Sequence, residues 1–276
     1  MLKKDKLVIL FTCFNRKDKT EKCINSLVNN KDFDLEFIIV DDGSTDGTKE
    51  MFKSLQDEVK LTVLDSGGDA YYSGGMRIGM EYIKNNEGVD FNYVLLVNDD
   101  VLFCDDCIDK LVQQNQKQGK SVTIGATCDS KNQLTYGLIQ YTEGIRYRKV
   151  PITEQGISGD TFNANCVLIP KYIFDDVEIM DKHYKHSLGD FDYGLQISKK
   201  GYRIYSSDTY VGICECNSSK NTWKDTSLSI KDRIRLKESI KGAPAKQWFY
   251  FLKKNFGIRT AIVKSVTPYI RIFMGR

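Results

Sequence analysis

The sequence has no long apolar run. Its N-terminal stretch, MLKKDKLVILFTCFNRKDK, places an apolar run of about eight residues after basic ones, whereas a membrane-spanning helix needs about 20. No small-residue cleavage site follows that run, so it is not typical of a secretory signal peptide. We interpret it as the first β-strand of a cytoplasmic protein.

Two common nucleotide-binding motifs are absent as well. The sequence has no G-x-x-x-x-G-K-[ST] segment, and no G-x-G-x-x-G follows the first strand. P-loop and dinucleotide-dehydrogenase functions therefore lose their main support. A calcium loop beginning at Asp42 is excluded too, because its twelfth position must supply a bidentate carboxylate and is Lys53. Instead, Ser44 or Thr45 is expected to cap a helix that begins near Asp46.

Histidine is scarce, whereas cysteine is not. The two histidines, His183 and His186, form an H-x-x-H pair, for which we favour acceptor contact or a plain surface loop over metal binding. The eight cysteines include a C-x-x-C at residues 104–107 and a C-x-C at 214–216, which together offer four thiolates to zinc. Because the two pairs lie in distant predicted elements, we favour free, mostly buried and reduced thiols.

The overall composition is ordinary, but the charge is unevenly distributed. Hydrophobic residues make up 41% of the 276 residues and charged residues 28%, as in soluble globular proteins. Residues 220–276 carry 14 Lys and Arg against 3 Asp and Glu, a net charge of +11. Residues 1–219 carry 26 basic and 34 acidic side chains, a net charge of −8. A mildly acidic body is thus followed by a strongly basic tail.

Apolar strands alternate with helical segments in the first half of the chain. Continuous apolar strands separated by helices indicate an α/β fold with a mostly parallel sheet covered on both faces. The predicted strands are KLVILFTCFN, LEFIIV, VKLTVLDS, FNYVLLVNDD and SVTIGATC.

Acidic residues follow two of these strands. Asp41 and Asp42 end the second strand, and Asp99 and Asp100 end the fourth. Ligands of open α/β sheets bind beyond the carboxyl ends of the strands, so we expect these four carboxylates to form a site. They suit a divalent cation that bridges to phosphates, or hydrogen bonds from a base or ribose.

Five segments in this order resemble glycosyltransferase family 2. They are TCFNR, VDDGSTDGT, YYSGGMRIGM, LLVNDDV and GDFDYGLQISKKGY, and the resemblance covers about residues 7–212. It implies a Rossmann-like, glycosyltransferase A-type fold. It also implies inverting transfer from a nucleotide sugar, of the kind found in bacterial cell-surface polysaccharide synthesis.

The resemblance assigns most of its motif residues to the donor. Thr12 and Phe14 match the nucleobase pocket, Asp41 with Asp42 matches the acid that contacts base and ribose, and Arg77 matches a basic residue near the diphosphate. The donor-binding set it implies is Thr12, Phe14, Asp41, Asp42, Gly75, Arg77, Asn98 and Asp99.

The same resemblance implies a Mg²⁺ or Mn²⁺ cofactor. Asp100 matches the last acid of the family's D-x-D motif and is the implied metal ligand, together with Asn98, which replaces the first acid. The family often has a histidine after a later strand, and here Cys214 or Cys216 is nearest that place.

Asp190 matches the family's general base, and Gly189 stands where the family usually has a glutamate. The alternative is that Asp190 is only a helix N-cap. Asp192 is expected either to orient the acceptor or to face solvent. Asn163 and Asn165 are expected on the acceptor side.

The basic tail reads as three short amphipathic helices with aromatic residues around Trp248. Such a composition is typical of a helix on an anionic membrane surface. Nucleic-acid binding and a helical cap packed on the body are the alternatives, and we expect no nucleic acid. We therefore predict a catalytic domain at 1–219, with a nucleotide-sugar half to about 127 and an acceptor half at 128–219, followed by the tail at 220–276.

Together these features predict an inverting glycosyltransferase with a UDP- or dTDP-linked donor. Its predicted acceptor is a lipid-linked glycan at the inner face of the cell membrane. A sugar nucleotidyltransferase is the alternative enzyme, but TCFNRKDKT lacks the glycine-rich triphosphate loop expected after the first strand. The third hypothesis is a non-catalytic, membrane-associated scaffold.

Overall fold

The computed structural model describes residues 4–30 and 32–276 of the chain. Its strands are β1 (Lys6–Cys13), β2 (Asp34–Asp41), β3 (Leu61–Asp65), β4 (Tyr93–Val97), β5 (Leu102–Phe103), β6 (Ser121–Cys128), β7 (Leu134–Tyr136), β8 (Leu138–Glu143), β9 (Arg146–Lys149), β10 (Thr161–Phe162), β11 (Cys166–Pro170) and β12 (Arg203–Ile213). Its helices are α1 (Lys17–Val28), α2 (Thr48–Leu55), α3 (Tyr71–Asn85), α4 (Cys107–Gln118), α5 (Lys171–Asp176), α6 (Gly189–Lys199), α7 (Ile230–Glu238), α8 (Ala245–Phe256), α9 (Ile258–Ser265) and α10 (Thr267–Phe273).

The central sheet has the order β3-β2-β1-β4-β11-β6-β12-β5, with β7 paired to β6 as its ninth described strand. The pairs β3–β2, β2–β1 and β1–β4 are parallel, and β12 is parallel to β6. Strand β11 is inserted antiparallel between β4 and β6. Six of the nine strands thus run in one direction. The predicted α/β fold with a mostly parallel sheet is confirmed.

Both faces of this sheet are buried around β1, β2 and β4, which explains why these three strands are apolar over most of their length. Successive side chains of a strand point to opposite faces. In β1, Val8 and Leu10 belong to one core cluster, and Leu7, Ile9 and Phe11 belong to the other. At the carboxyl ends of β2 and β4, the first polar residues therefore appear where the backbone leaves the core.

The turn after β2 differs from the prediction. Helix α2 begins at Thr48 after Gly47, whose φ of 89° places it in the left-handed region that glycine adopts without strain. The Ser44 hydroxyl accepts the backbone N–H of Asn15 at 2.9 Å, and the Asp46 carboxylate accepts that of Thr48 at 3.2 Å. The expectation that Ser44 or Thr45 caps this helix is therefore wrong, because these residues bind the loop after β1 instead.

The middle of the chain builds a second, smaller sheet with the order β10-β8-β9. Helix α6 packs against β10, where the Thr161 hydroxyl donates to the carbonyl of Phe191 at 2.7 Å. The sheet and α6 together form the second half of the body.

The basic tail folds onto this half. The tail forms four α-helices where three were predicted, because the chain after α8 divides into α9 and α10. Pro268 lies in the first turn of α10. Phe251 and Leu252 of α8 are buried beside Tyr184 and Leu195 of the body. The structure thus places the central tail aromatics against the body. None of the helices in the described ranges is long and apolar enough to cross a bilayer.

The cysteines are free thiols, and six of the eight are buried. Cys107 and Cys214 lie in one core cluster, whereas Cys104 and Cys216 are exposed. Within residues 4–30 and 32–276, no group of three or more His, Cys, Asp or Glu side chains is placed to hold a metal.

Candidate functional site

A cleft of about 1270 Å³ opens at the carboxyl ends of β1 and β4. Its body side is formed by the segment after β1, the start of α3, the end of β4, the segment before β11 and the start of α6. Its other side is formed by the tail. The predicted site residues that line it are Thr12, Phe14, Asp42, Asn98, Asp99, Asp100, Asn163, Asn165 and Asp190.

Asp99 and Asp100 are bridged by Arg16. The guanidinium Nη1 lies 2.8 Å from Asp99 Oδ1, and Nη2 lies 2.6 Å from Asp100 Oδ2. Asp99 also accepts the Thr20 hydroxyl at 3.1 Å. Burial raises the pKa of Asp99 to about 6, although the charge of Arg16 opposes this rise. Sequence reasoning missed Arg16, whose signal is a basic residue two positions after Phe14.

Asn98 and Asp100 present hard oxygen atoms at the same strand end. Asn98 Oδ1 is buried and has no hydrogen-bond partner in the described chain, which is uncommon for a buried polar atom and suits a cation ligand. The Asp100 carboxylate is occupied by Arg16. These two residues fit a Mg²⁺ or Mn²⁺ ion that takes its other ligands from water and phosphate oxygens.

Cys214, and not Cys216, lies beside this pair. Its thiol lies 3.8 Å from Asp100 Oδ1 and 3.6 Å from Asn165 Nδ2. Burial and the nearby Asp100 charge raise the pKa of Cys214 to about 12, so the thiol is neutral at physiological pH. A neutral thiol donates a weak hydrogen bond to the carboxylate and is a poor metal ligand.

Asp41 and Asp42 differ in their environments. Asp41 has no exposed surface and is not among the residues that line the cleft. Its Oδ1 accepts the N–H of Ser44. Its Oδ2 has no hydrogen-bond partner among the described residues and lies 4.0 Å from the ammonium of Lys49. Asp42 lines the cleft, and its carboxylate accepts the N–H groups of Ala70 at 2.9 Å and Tyr71 at 2.8 Å. Asp42 thus holds the start of α3 in place.

Gly75 and Arg77 do not line the cleft. Gly75 packs against β1, where an added Cβ would lie 2.8 Å from the Cβ of Thr12, so a glycine permits the close approach of helix and strand. Arg77 Nη1 lies 3.5 Å from the carbonyl of Tyr184. The structure shows packing at these two positions, and their donor-binding roles stay predictions.

Asp190 is a half-buried carboxylate in the first turn of α6. Its Oδ1 accepts the N–H of Phe191 at 2.9 Å and its Oδ2 that of Ala164 at 3.4 Å. Burial raises the pKa of Asp190 to about 6, although these N–H groups lower it. The helix N-cap is Leu188, so the N-cap alternative for Asp190 is wrong. A cleft carboxylate with a raised pKa and no cationic partner in the described chain is typical of a general base.

Gly189 lies against α3. A Cβ at this position would lie 2.7 Å from the Cβ of Ser73, and the Ser73 hydroxyl donates to the carbonyl of His186 at 2.7 Å. The start of α6 therefore approaches the start of α3 too closely for a glutamate at 189.

Asp192 points away from the cleft. It has no exposed surface and accepts hydrogen bonds from Gln196, Lys254 and Asn255 at 2.6–2.9 Å. The expectation that it faces solvent is wrong, because it anchors α8 of the tail. Nor does it lie among the cleft-lining residues, so the structure gives no support to its predicted contact with the acceptor.

The two histidines have separate environments. His183 stacks on Tyr250 at a centroid distance of 3.9 Å and hydrogen-bonds Asp181 at 2.7 Å. His186 lines the cleft. Burial, aided by the charge of Lys241, lowers the pKa of His186 to about 4, so its ring is neutral at physiological pH. The H-x-x-H pair therefore does not act as one unit.

The tail contributes cations to the cleft. Lys224, Lys237, Lys241 and Arg271 line it, whereas no Asp or Glu of the described tail does so. Aromatic rings of Trp223 and Trp248 lie in the same wall. The acids of the cleft therefore lie on its body side, and the tail side adds cations and two tryptophan rings.

Comparisons with known proteins identify the family and the fold. The model of the family "Glycosyl transferase family 2" matches residues 8–177. An uncharacterized glycosyltransferase of Mycoplasma genitalium, MG060, is 30% identical over 241 residues, covering 83% of this chain and 77% of that protein. Glycosyltransferase GlyA of Streptococcus pneumoniae is 22% identical over 185 residues, covering 67% of this chain and 22% of GlyA.

Two solved structures share the fold. The mannosyltransferase PcManGT of Pyrobaculum calidifontis, in complex with GDP-Man and Mn²⁺, superposes with a TM-score of 0.60 at 10% identity, covering 99% of this chain and 74% of that one. TarS of S. aureus (residues 1–349), in complex with UDP-GlcNAc, superposes with a TM-score of 0.59 at 14% identity, covering 97% and 81%. The family match over most of the sequence motifs, the related glycosyltransferases and the shared fold show that the chain is a glycosyltransferase and belongs to glycosyltransferase family 2.

Proposed function

We propose that the chain is an inverting glycosyltransferase that moves a sugar from a UDP- or dTDP-linked donor to an acceptor hydroxyl. The observation that supports this most is Asp190, a carboxylate with a raised pKa in the same cleft as the acid pair after β4. In one in-line displacement the acceptor oxygen forms a bond to the anomeric carbon. The bond from that carbon to the nucleoside diphosphate breaks, and Asp190 takes the proton of the acceptor hydroxyl.

A divalent cation at Asn98 and Asp100 is part of the proposal. When bound, Mg²⁺ or Mn²⁺ supplies positive charge for the leaving diphosphate. The residues of the chain hold the oxygen ligands in place, since Asp99 is fixed by Thr20 and Asn98 is anchored through its backbone N–H to the carbonyl of Asn165.

A nucleotide-sugar panel tests the reaction class. We expect release of nucleoside diphosphate from a UDP- or dTDP-sugar in the presence of acceptor, and loss of that release in EDTA with recovery in Mn²⁺. Release of pyrophosphate from a sugar phosphate and a nucleoside triphosphate would indicate the nucleotidyltransferase alternative. Absence of both products over the panel would favour the scaffold.

The choice of UDP or dTDP rests on Asp41. Its buried Oδ2 has no hydrogen-bond partner in the described chain, and uracil and thymine carry an imide N–H that it can accept. Asp41→Ala is expected to weaken UDP binding by about 10–100-fold, the range for a hydrogen bond to a charged group. Isothermal titration calorimetry measures the change.

Asp57→Ala is the control for Asp41, because it removes the same side chain at an exposed position that does not line the cleft. It is expected to keep the affinity of the unmodified protein. Equal UDP affinity for Asp41→Ala, in a protein with an unchanged circular dichroism spectrum, would remove Asp41 from the site.

The acceptor side of the proposal rests on the tail wall of the cleft. Its cations favour an acceptor that carries phosphate, and its aromatic rings favour contact with a sugar ring or lipid chain. A lipid-linked glycan joined through phosphate has both features. We therefore propose such an acceptor, in cell-surface polysaccharide synthesis at the cytoplasmic side of the membrane.

An exposed apolar face on α9 and α10 supports membrane contact. Seven large apolar side chains between residues 258 and 274 are each 48–64% exposed, namely Ile258, Ile262, Val263, Val266, Ile270, Phe273 and Met274. Arg259 and Lys264 are interspersed among them, and Arg276 follows them. Apolar area with adjacent cations is the pattern of an interfacial helix on anionic lipid.

Vesicle sedimentation tests this face. The full-length protein is expected to sediment with phosphatidylglycerol-containing vesicles at low salt, less as salt rises, and weakly with phosphatidylcholine alone, because basic residues contribute about 1 kcal/mol each near an anionic surface. Ile262→Glu with Phe273→Glu is expected to abolish sedimentation.

Ile230→Glu is the control for the vesicle experiment. Ile230 is also an exposed apolar residue of the tail, at 46%, but lies on α7. If Ile230→Glu reduces binding as much as the α9–α10 variant does, or if the unmodified protein ignores anionic vesicles, the proposed face is wrong.

A further inference from the structure

One guanidinium holds both acids that follow β4. Arg16 lies directly before α1, whereas its partners lie 83 and 84 residues later. Its two terminal nitrogens contact different carboxylates, at 2.8 Å and 2.6 Å. Guanidinium groups favour such forked contacts because their donors are planar and fixed.

The two ends of this bridge differ in how firmly they are held. The Asp99 side chain is 4% exposed and also accepts the Thr20 hydroxyl, so it is held from two sides. The Asp100 side chain is 19% exposed and, among the described residues, has one weak thiol contact besides Arg16. Arg16 itself is 36% exposed. The bond to Asp100 is therefore the one that can exchange partners.

Charge makes Arg16 and a divalent cation competitors for Asp100. The two carboxylates and the guanidinium sum to −1, and a cation that bound Asp100 beside the bound guanidinium would meet a like charge at contact distance. A donor diphosphate provides an alternative anionic partner for the guanidinium. Donor binding therefore relieves the competition.

We propose that Arg16 is the counter-ion that occupies Asp100 until the donor arrives, then releases Asp100 to the divalent cation and binds the donor diphosphate. Metal and nucleotide then bind cooperatively, and each strengthens the binding of the other by the same factor. This inference rests on the proposed function, because it assumes a divalent cation and a nucleoside-diphosphate donor.

Direct measurement of Mn²⁺ binding tests it. Electron paramagnetic resonance of free Mn²⁺ gives the affinity for the full-length protein without any turnover. In the absence of nucleotide, Arg16→Gln is expected to bind Mn²⁺ about tenfold more tightly than the unmodified protein, as expected for removal of one adjacent like charge. The Mn²⁺ affinity of Arg16→Lys is expected to lie between those of Arg16→Gln and the unmodified protein.

UDP supplies the second arm. UDP is expected to raise the Mn²⁺ affinity of the unmodified protein more than that of Arg16→Gln. The reason is that the diphosphate draws a guanidinium away from Asp100 only in the unmodified protein. Lys22→Gln is the matched control, since Lys22 is an exposed cation of α1 and the substitution removes the same charge. It is expected to behave like the unmodified protein in both arms.

Two results would overturn the inference. One is an Arg16→Gln protein that binds Mn²⁺ no more tightly than the unmodified protein. The other is UDP binding that is equal in EDTA and Mn²⁺ yet lost in Arg16→Gln, which would make Arg16 a permanent diphosphate ligand in place of a metal. Failure of the proposed function is distinguishable, because it appears as absent nucleoside diphosphate in the donor panel.

Discussion

Asp190→Asn is expected to lower turnover by about 10²–10⁴-fold, the usual contribution of a positioned general base. The amide keeps the size of the carboxylate but cannot take a proton from the acceptor hydroxyl. Donor affinity is expected to survive, because the residues proposed to hold the nucleotide and the cation are unchanged in this variant. Initial rates at saturating donor, with UDP affinity from calorimetry, measure both quantities. Unchanged turnover with weakened UDP binding would make Asp190 a nucleotide ligand.

The pH profile adds a second signature for Asp190. Its pKa is raised to about 6, and a general base works only when deprotonated. We therefore expect kcat/KM to fall as the pH drops through about 6 and to level off above it. The pKa of Asp99 is also raised to about 6, so the residual activity of Asp190→Asn serves as the control. In the pH profile of Asp190→Asn, the fall in kcat/KM that is due to protonation of Asp190 is expected to be absent.

Asp192→Ala is expected to have the largest effect on stability. Asp192 is fully buried and holds Lys254 and Asn255 of α8. Breaking a buried charge pair from one side costs about 3–5 kcal/mol, and the lower end applies because Lys254 keeps Asp181 at 2.8 Å. The melting temperature is expected to fall by roughly 6–12 °C at about 2–4 °C per kcal/mol.

Differential scanning calorimetry of Asp192→Ala and of Asp176→Ala separates the two kinds of ion pair. Asp176 contacts Lys200 at the body surface, where both side chains are nearly half exposed. Exposed pairs contribute about 0–1 kcal/mol, so its loss is expected to shift the melting temperature little. Equal shifts for both variants would show that Asp192 does not anchor the tail.

The sequence predicted the sheet edge well, because apolar strands bury on both faces and their first polar residues mark where they leave the core. It could not separate Asp190 from Asp192 as two acids of one motif. Residues two apart on a helix differ by about 200° around its axis, so when one faces the cleft the other faces the opposite side. Helical periodicity therefore shows that Asp190 and Asp192 point in opposite directions, but it does not show which of them faces the cleft.

Longer-range contacts lay beyond the sequence pattern. Arg16 reaches residues 83 and 84 positions away, and the reach of a long side chain leaves no periodic signal. The tail aromatics favoured lipid but were also compatible with a packed cap, because both environments remove apolar surface from water. Packing of Phe251 and Leu252 on the body leaves α9 and α10 as the exposed apolar face.

The contact between Gly189 and Ser73 carries a consequence for how relatives of this protein diverge. A side chain at 189 would collide with the Cβ of Ser73, and both residues begin helices that line the cleft. A relative with an acid at 189 is therefore expected to have a shifted α3 or a glycine at position 73. Positions 73 and 189 are expected to change together among homologues, with the smallest residue at one whenever the other is large. A set of aligned relatives in which the two positions vary independently would contradict this expectation.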